Sequence, residues 1–252
     1  MKTDLKRMRI AAVAITIITM LTALPALAEE WNYDAALYGW FSGLDGTVGV
    51  GRLGDQPVQA SFSDLAGYLD FAAAGHFEAR NPKMVLMTDI YYVKLGAGRD
   101  AEILGRTVKT NMDFTQWIVE VGGGYRVSEQ FDVLLAGRYY IFDLGATAGS
   151  ITGDKTRGGG GTRDWGDIFI GGRYHTVYGT KWLLSLRGDL GLGGSDFAWF
   201  GNAVVGYQFT ELFSLGLGYR VLSLDYETGS DADYFKYDVT TNGIGLEAKF
   251  SF

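Results

Sequence analysis

The chain has 252 residues, a formal net charge of −7, two histidines and no cysteine. The lack of cysteine excludes disulfides, thiol catalysis and cysteine-ligated metals, and the acidic balance argues against nucleic-acid binding because little positive charge is left to neutralise phosphates. Aromatic residues make up 14% of the chain, and there are 37 glycines but only 3 prolines. This composition is typical of many-stranded β-structure and not of a disordered chain.

The N-terminus has the three parts of an export signal. An apolar run from Ile10 to Leu24 ends at a small-residue cleavage site from Ala26 to Ala28. The alternative is a membrane-anchoring helix, for which the run is short. We therefore predict a cleaved signal peptide over 1–28 and a single transmembrane β-barrel domain over 29–252. The basic residues that precede the run are Lys2, Lys6, Arg7 and Arg9.

After the signal, apolar and polar residues alternate with period two in about ten segments. In the last one, Phe252, Phe250 and Leu246 fall on one face, whereas Lys249 and Glu247 fall on the other. The alternation predicts strands with one side toward lipid and one toward a polar lumen, each near the roughly 9–11 residues of a tilted membrane strand. The segments are 33–41, 75–80, 86–92, 115–126, 132–141, 167–175, 182–190, 199–209, 213–221 and 243–252.

The polarity of the two faces also distinguishes a membrane barrel from a soluble one. A soluble lipocalin-like barrel would bury apolar residues inside and place charges outside, which is the reverse of this pattern. Some apolar residues nevertheless fall on the face expected to be polar. They are Ile118, Leu134, Phe142 and Val204.

The connections between segments alternate in length, which is typical of periplasmic turns and extracellular loops. Both termini then lie on the periplasmic side, which requires an even number of strands. We predict an all-β fold, a closed antiparallel up-and-down transmembrane β-barrel of about ten strands, with eight to twelve left open. Tight joints lie at Asn81-Pro82, Ser128-Glu129, Gly179-Thr180 and Thr210-Glu211, and longer connections at 43–70, 97–106, 146–164, 193–196 and 227–234.

Segment 43–70 has two interpretations. Thr47–Gly51 and Val58–Phe62 could form an extra hairpin, which would give twelve strands. Ser61 could instead cap a short helix that runs through Tyr68, since Asp64 follows it at the capping-box position. We favour ten strands with an excursion at this segment.

The lumen-facing positions carry charges of both signs. Such charges must pair in a narrow barrel, so we predict a structural salt-bridge network that fills the lumen. The alternative is a small polar pore with the network as its constriction. The predicted network consists of Asp34, Glu78, Arg80, Asp89, Glu120, Arg126, Arg138, Asp167, Arg173, Arg187, Asp189, Arg220, Glu247 and Lys249.

No motif in the chain predicts catalysis, a metal site or a cofactor. His76 and His175 face the lumen away from the extracellular rim, and there is no G-x-S-x-G nucleophile motif. The acidic residues between Asp225 and Asp233 lack the spacing of a twelve-residue calcium loop. We therefore predict no catalytic residues, no metal and no cofactor.

The signal, the rhythm of strands and turns, and the terminal residues Lys249 to Phe252 resemble the OmpA/OmpX-like family of small outer-membrane barrels. The resemblance implies residence in the outer membrane, contact with its lipid and lipopolysaccharide, and insertion by the barrel-assembly machinery. For that machinery, Phe252 and Phe250 would be the assembly signal.

For function, the sequence favours a non-enzymatic monomer with a role in envelope integrity or surface interaction. A narrow porin-like channel for small hydrophilic solutes is the first alternative. An outer-membrane envelope enzyme is the second.

Overall fold

The computed structural model describes residues 31–103, 106–149 and 156–252. The predicted signal peptide, and the parts of two predicted loops at 104–105 and 150–155, lie outside these residues. None of the helices within the described ranges is long and apolar enough to cross a membrane.

Eleven strands and one short helix make up the described chain. Helix α1 spans Phe62–Ala66, and 3-10 turns span Gly51–Leu53 and Asp231–Asp233. The strands are β1 (Asn32–Val50), β2 (Asp55–Ala60), β3 (Leu69–Arg80), β4 (Met84–Ile103), β5 (Arg106–Arg126), β6 (Phe131–Gly149), β7 (Thr156–Tyr178), β8 (Trp182–Gly193), β9 (Phe197–Gln208), β10 (Phe213–Thr228) and β11 (Phe235–Ser251).

The strands form one antiparallel sheet that closes on itself. From β3 to β11, each strand pairs with the next in the chain, and β11 returns to pair with β1 from Asp34↔Ser251 to Val50↔Phe235. Among the described strands, β2 pairs only with β1, so the wall of the barrel has ten strands. Closure leaves no sheet edge along β11, and the predicted ten-stranded barrel is confirmed.

The tight joints predicted from the sequence connect β3–β4, β5–β6, β7–β8 and β9–β10. Tyr33 and Phe252 lie at the same end of the barrel as these joints. We call this end the short-turn end and the opposite one the long-loop end. Most strands are longer than predicted: β7 has 23 residues, and β4 and β5 stay paired to Ile103↔Arg106. The loops predicted at 97–106 and 146–164 are therefore largely wrong, because hairpins continue the strands toward the long-loop end.

Segment 43–70 combines features of both interpretations. Strand β1 continues to Val50 and forms a hairpin with β2, and α1 begins directly afterwards. Ser61 and Asp64 form a reciprocal capping box, in which the hydrogen bonds from Ser61 lower the pKa of Asp64. The helix ends at Ala66 instead of Tyr68, and the twelve-stranded alternative is wrong because β2 gains no second neighbour.

The outer surface has the predicted apolar band. Leu37, Ile168 and Leu192 are more than 60% exposed although they are aliphatic, whereas their strand neighbours Asp34 and Asp167 are buried. Aromatic residues flank the band, as in the girdles of membrane barrels: Tyr33 stacks on Phe252 and Phe77 at the short-turn end. Trp117 of β5 packs against Tyr92 of β4 on this outer surface, with their ring centres 4.5 Å apart.

The interior is apolar as well as charged. Ile118, Leu134 and Phe142 face inward as predicted, and each is at most 3% exposed. These residues are therefore part of an apolar inner core. The sequence pattern predicted a polar lumen, to which they were exceptions. Val204 also faces inward and lines a cavity.

Candidate functional site: a charged cavity beneath an aromatic plug

A cavity of about 400 Å³ occupies the lumen toward the short-turn end. Charged residues of β1, β3 and β4 line one side, including Asp34, Glu78 and Asp89. The side formed by β9 and β10 is lined mostly by small or apolar residues, such as Gly206 and Gly216, with Asn202 and Arg220 among its polar members. The cavity is therefore amphipathic.

Two arginines and two carboxylates form a closed cluster across the middle of the lumen, which we call the central cluster. Arg138 Nε donates to Glu120 at 2.7 Å, and its Nη2 lies 3.5 Å from Asp189. Arg187 Nη2 lies 2.7 Å from Glu120 and 2.8 Å from Asp189. All four side chains are at least 89% buried, so each charge is compensated where water is scarce.

A second group of charges lies nearer the short-turn end and centres on Asp132. Arg173 donates to Asp132 at 2.7 Å and also binds Glu78 across the barrel. Arg126 and His175 approach the same fully buried carboxylate at 3.5 and 3.3 Å. Asp132 was missing from the predicted network although its position is lumen-facing by the alternation, so the signal was present and overlooked.

A third group joins β1, β3, β4 and β10. Arg220 donates to Asp89 at 3.2 Å, and the Tyr38 hydroxyl donates to the same carboxylate at 2.7 Å. His76 lies 3.6 Å from both Asp89 and Glu78. At the cavity's outer end, Arg80 and Lys249 approach Asp34 at 2.8 and 3.9 Å.

The structure thus brings twelve of the fourteen predicted network residues into ion pairs. Asp167 is instead held by Ser195, whose amide and hydroxyl both donate to it at 2.7 Å, and Trp165 donates to that hydroxyl at 2.9 Å. Glu247 lines the cavity, and among the described residues no base lies within ion-pair distance of it.

Above the central cluster, toward the long-loop end, stacked aromatic rings fill the lumen. Trp165 stacks on Tyr226 at 3.9 Å and on Phe142 at 5.0 Å, and Phe142 packs against Tyr237 at 4.5 Å. We call these four rings the aromatic plug. The sequence signal for it was Phe142 on the inward face.

Arginines join the charged and aromatic layers. The Arg138 guanidinium lies 4.0 Å from the centre of the Phe169 ring, and Arg220 lies 4.9 Å from that of Phe200 and 5.2 Å from that of Trp40. Such cation–π contacts stabilise a charge on its apolar side. Phe169, Phe200 and Trp40 belong to the same buried cluster as Phe142, Trp165 and Tyr237 of the plug, so the two layers form one continuous filling.

The arrangement offers little for metal chemistry. Within the described residues, no group of three His, Asp or Glu side chains is placed to hold a metal ion. His76 and His175 lie among carboxylates and arginines in the half toward the short turns, away from the long-loop rim.

A closed sheet with an apolar outer band and a charged interior has one natural setting, since only a membrane stabilises that distribution. The fold is that of the small outer-membrane β-barrels. No family model matches the chain, and no curated protein matches it either.

Several solved structures are similar in fold. The outer-membrane protease OmpT from Escherichia coli is 10% identical, with 89% of this chain and 97% of that chain covered and a TM-score of 0.47. Ail, the attachment invasion locus protein of Yersinia pestis, is 12% identical, with coverages of 89% and 99% and a TM-score of 0.39. The Pseudomonas putida toluene transporter TodX is 7% identical, with 90% of each chain covered and a TM-score of 0.38.

Proposed function

We propose that this protein is a non-conducting, non-enzymatic monomeric barrel of the outer membrane that acts in envelope integrity or through its extracellular rim. The observation that carries the proposal is the double closure of the lumen. The central cluster crosses it, and the aromatic plug lies above. Both layers consist mainly of buried side chains, which supports a closed lumen because conduction of hydrophilic solutes needs a water-lined path.

The long-loop end supports a role in surface interaction because hydrogen bonds order it. The amide of Gly51 donates to the carbonyl of Tyr234 at 2.7 Å, and the Tyr234 hydroxyl donates to Asp55 at 2.8 Å. This bond to Asp55 raises the pKa of Tyr234 to about 12. The β1–β2 hairpin is thereby tied to the β10–β11 connection, and a preordered rim loses less entropy when it binds a partner.

Planar-bilayer recordings test the closed lumen. Wild-type protein should show no steady conductance, and Trp165→Ala alone should stay closed because the central cluster still crosses the lumen. Trp165→Ala combined with Arg187→Ala should open a leak because it removes one side chain from each of the two layers. Trp182→Ala in place of Trp165→Ala is the matched control: this tryptophan lies on the lipid-facing side against Tyr207, so its loss should leave the lumen closed. Large, reproducible conductance steps in the wild type would overturn the proposal and favour the porin-like channel.

A further inference from the structure

The pairing between β1 and β3 is interrupted in the barrel wall. These strands pair from Asn32↔Arg80 to Leu37↔Gly75. Beyond Leu37, the next residue of β1 that pairs on this side is Leu44, and its partner is Ala60 of β2. Strand β3 extends from Gly75 back to Leu69, and over this stretch it pairs only with β4. Within the described ranges, no paired residues join 38–43 of β1 to 69–74 of β3. We call this stretch the seam.

Helix α1 closes the seam only at its top. The backbone of Ala60 and Ser61 crosses so close to Gly43 that a Cβ at Gly43 would lie 2.6 Å from the Ala60 carbonyl oxygen. Phe62, the first residue of α1, packs edge-on against Phe41 at 5.2 Å. None of the five α1 residues is buried, so the helix lies against the wall without filling it.

The outer rim of the seam is aromatic. Phe41, Phe62 and Phe71 are 38–57% exposed on the outside, and Phe71 packs against Tyr92 of the outer aromatic belt. The seam is therefore continuous with the lipid-facing band.

The inner side of the seam borders the cavity through Tyr38 and Trp40. Ala72 pairs with the buried Val93 and thus faces inward, yet it is exposed. Trp40 lies behind the seam with its ring 5.4 Å from that of Tyr91. Trp40 also lines the cavity, together with Tyr38 and His76 at the lower end of the seam.

Open strand edges are not stable against hydrocarbon unless protein, water or a polar ligand covers them. An occupant of the seam therefore needs both an apolar part and hydrogen-bonding groups. The cavity has the same dual character, because its arginines and carboxylates face small and apolar residues.

We propose that the seam is a lateral portal through which a single-chain amphiphile enters the cavity from the lipid layer. Its chain lies against Phe41, Phe71 and Trp40, and its polar end reaches Tyr38 and Arg220. Because the aromatic plug closes the axial route from the long-loop end, the cavity communicates with the membrane and with the short-turn end. This goes beyond the proposed function, since a barrel that does not conduct ions can still admit an amphiphile from the side.

The chain contains no cysteine, so single cysteines can report access without background. The protein is reconstituted in phosphatidylcholine vesicles and treated with N-dodecylmaleimide, and modification is followed by mass spectrometry. Ala74→Cys probes the inward side of the seam. Ala203→Cys is the lipid-facing control, and Ala198→Cys is the control for an inward position behind paired strands on both sides.

Ala74→Cys should react about 100-fold faster than Ala198→Cys and also faster than Ala203→Cys, because thiol modification needs both access of the reagent and ionisation of the thiol, which hydrocarbon disfavours. Equal protection of Ala74→Cys and Ala198→Cys would overturn the portal, whatever the conductance of the wild type.

A second measurement separates entry of an amphiphile from simple exposure to water. Dodecanoic acid should slow the modification of Ala74→Cys by a water-soluble methanethiosulfonate by about tenfold or more, since it would occupy the path to the thiol. Modification of Ser63→Cys, on exposed α1 outside the lumen, should be unchanged. No slowing at Ala74→Cys, or equal slowing at both positions, would overturn the proposal.

Discussion

Glu120 is the residue on which the central cluster depends, because it binds both Arg138 and Arg187. Glu120→Gln would leave two buried guanidinium groups to share Asp189. We expect a loss of about 3–5 kcal/mol in the free energy of unfolding, the usual cost of an uncompensated buried charge, measured by urea unfolding from lipid vesicles.

The control for this prediction is Asp70→Asn, which breaks an ion pair on the outside. Asp70 and Lys94 lie 2.9 Å apart, but both side chains are more than 40% exposed. Its loss should cost less than about 1 kcal/mol. A Glu120→Gln variant as stable as Asp70→Asn would show that water enters the centre of the lumen.

Two glycines on β8 give a matched test of inner packing. A Cβ at Gly191 would lie 2.6 Å from the ring of Phe169, which is buried in the lumen, whereas a Cβ at Gly188 would meet nothing within 4 Å. Gly191→Ala should therefore cost about 1–3 kcal/mol through overpacking. Gly188→Ala should be neutral or slightly stabilising. Thermal unfolding of both variants would decide, and equal melting temperatures would contradict the described packing.

At the scale of the strand, the alternation of faces can be tested with one substitution at two positions. Leu217→Arg places a charge against lipid and should cost about 2–4 kcal/mol. Ser185→Arg places the same charge in the cavity, which Ser185 lines, and should cost clearly less. Urea unfolding from vesicles is again the measurement, and the reverse order would show that the strand faces are misassigned.

A lumen-facing position is not by itself a tolerant one. Gly218 also faces inward, next to Leu217, but a Cβ there would lie 2.6 Å from the carbonyl oxygen of Ala203. Gly218→Ser is therefore expected to destabilise the barrel. The space available at a lumen-facing position depends on the side chains that project from the neighbouring strand. At Gly218, the side chain of Val204 occupies that space.

For the whole molecule, closure predicts resistance to detergent unfolding. The start of β1 and the residue that follows β11 are joined, since Tyr33 and Phe252 exchange two backbone hydrogen bonds at 2.8 and 2.9 Å. Unboiled protein should extract with the outer-membrane fraction and migrate differently on gels from boiled protein, because a closed barrel has no free edge. Recovery as a soluble periplasmic protein would contradict the membrane setting.

The proposed assembly signal belongs to this scale as well. Phe252→Ser keeps both backbone hydrogen bonds to Tyr33, so the folded barrel should lose only ring contacts with Tyr33. We expect a fall in the amount of protein inserted in cells together with nearly unchanged heat-modifiability of the fraction that does insert. Equal insertion of the variant and the wild type would argue against a role of Phe252 in assembly.

The sequence by itself determined the faces, the turns and the approximate number of strands. Period-two alternation is a local property of extended backbone, so Leu37 and Asp34 could be assigned to opposite sides without any knowledge of their neighbours. The same reasoning assigned most of the charged residues to the lumen. It failed at the ends of β4 and β5, because the regular alternation of apolar and polar residues does not continue through 97–110 of the sequence.

The tertiary structure alone decided what meets inside the barrel. Pairs such as Arg173 with Glu78 and Phe142 with Tyr237 join strands far apart in the chain, and closure brings them together across the lumen. The seam is likewise invisible in the sequence, because it depends on where the pairing of β1 with β3 stops. The face on which a residue lies follows from local periodicity within its strand. Contacts across a closed sheet depend on register and curvature, which no single segment encodes.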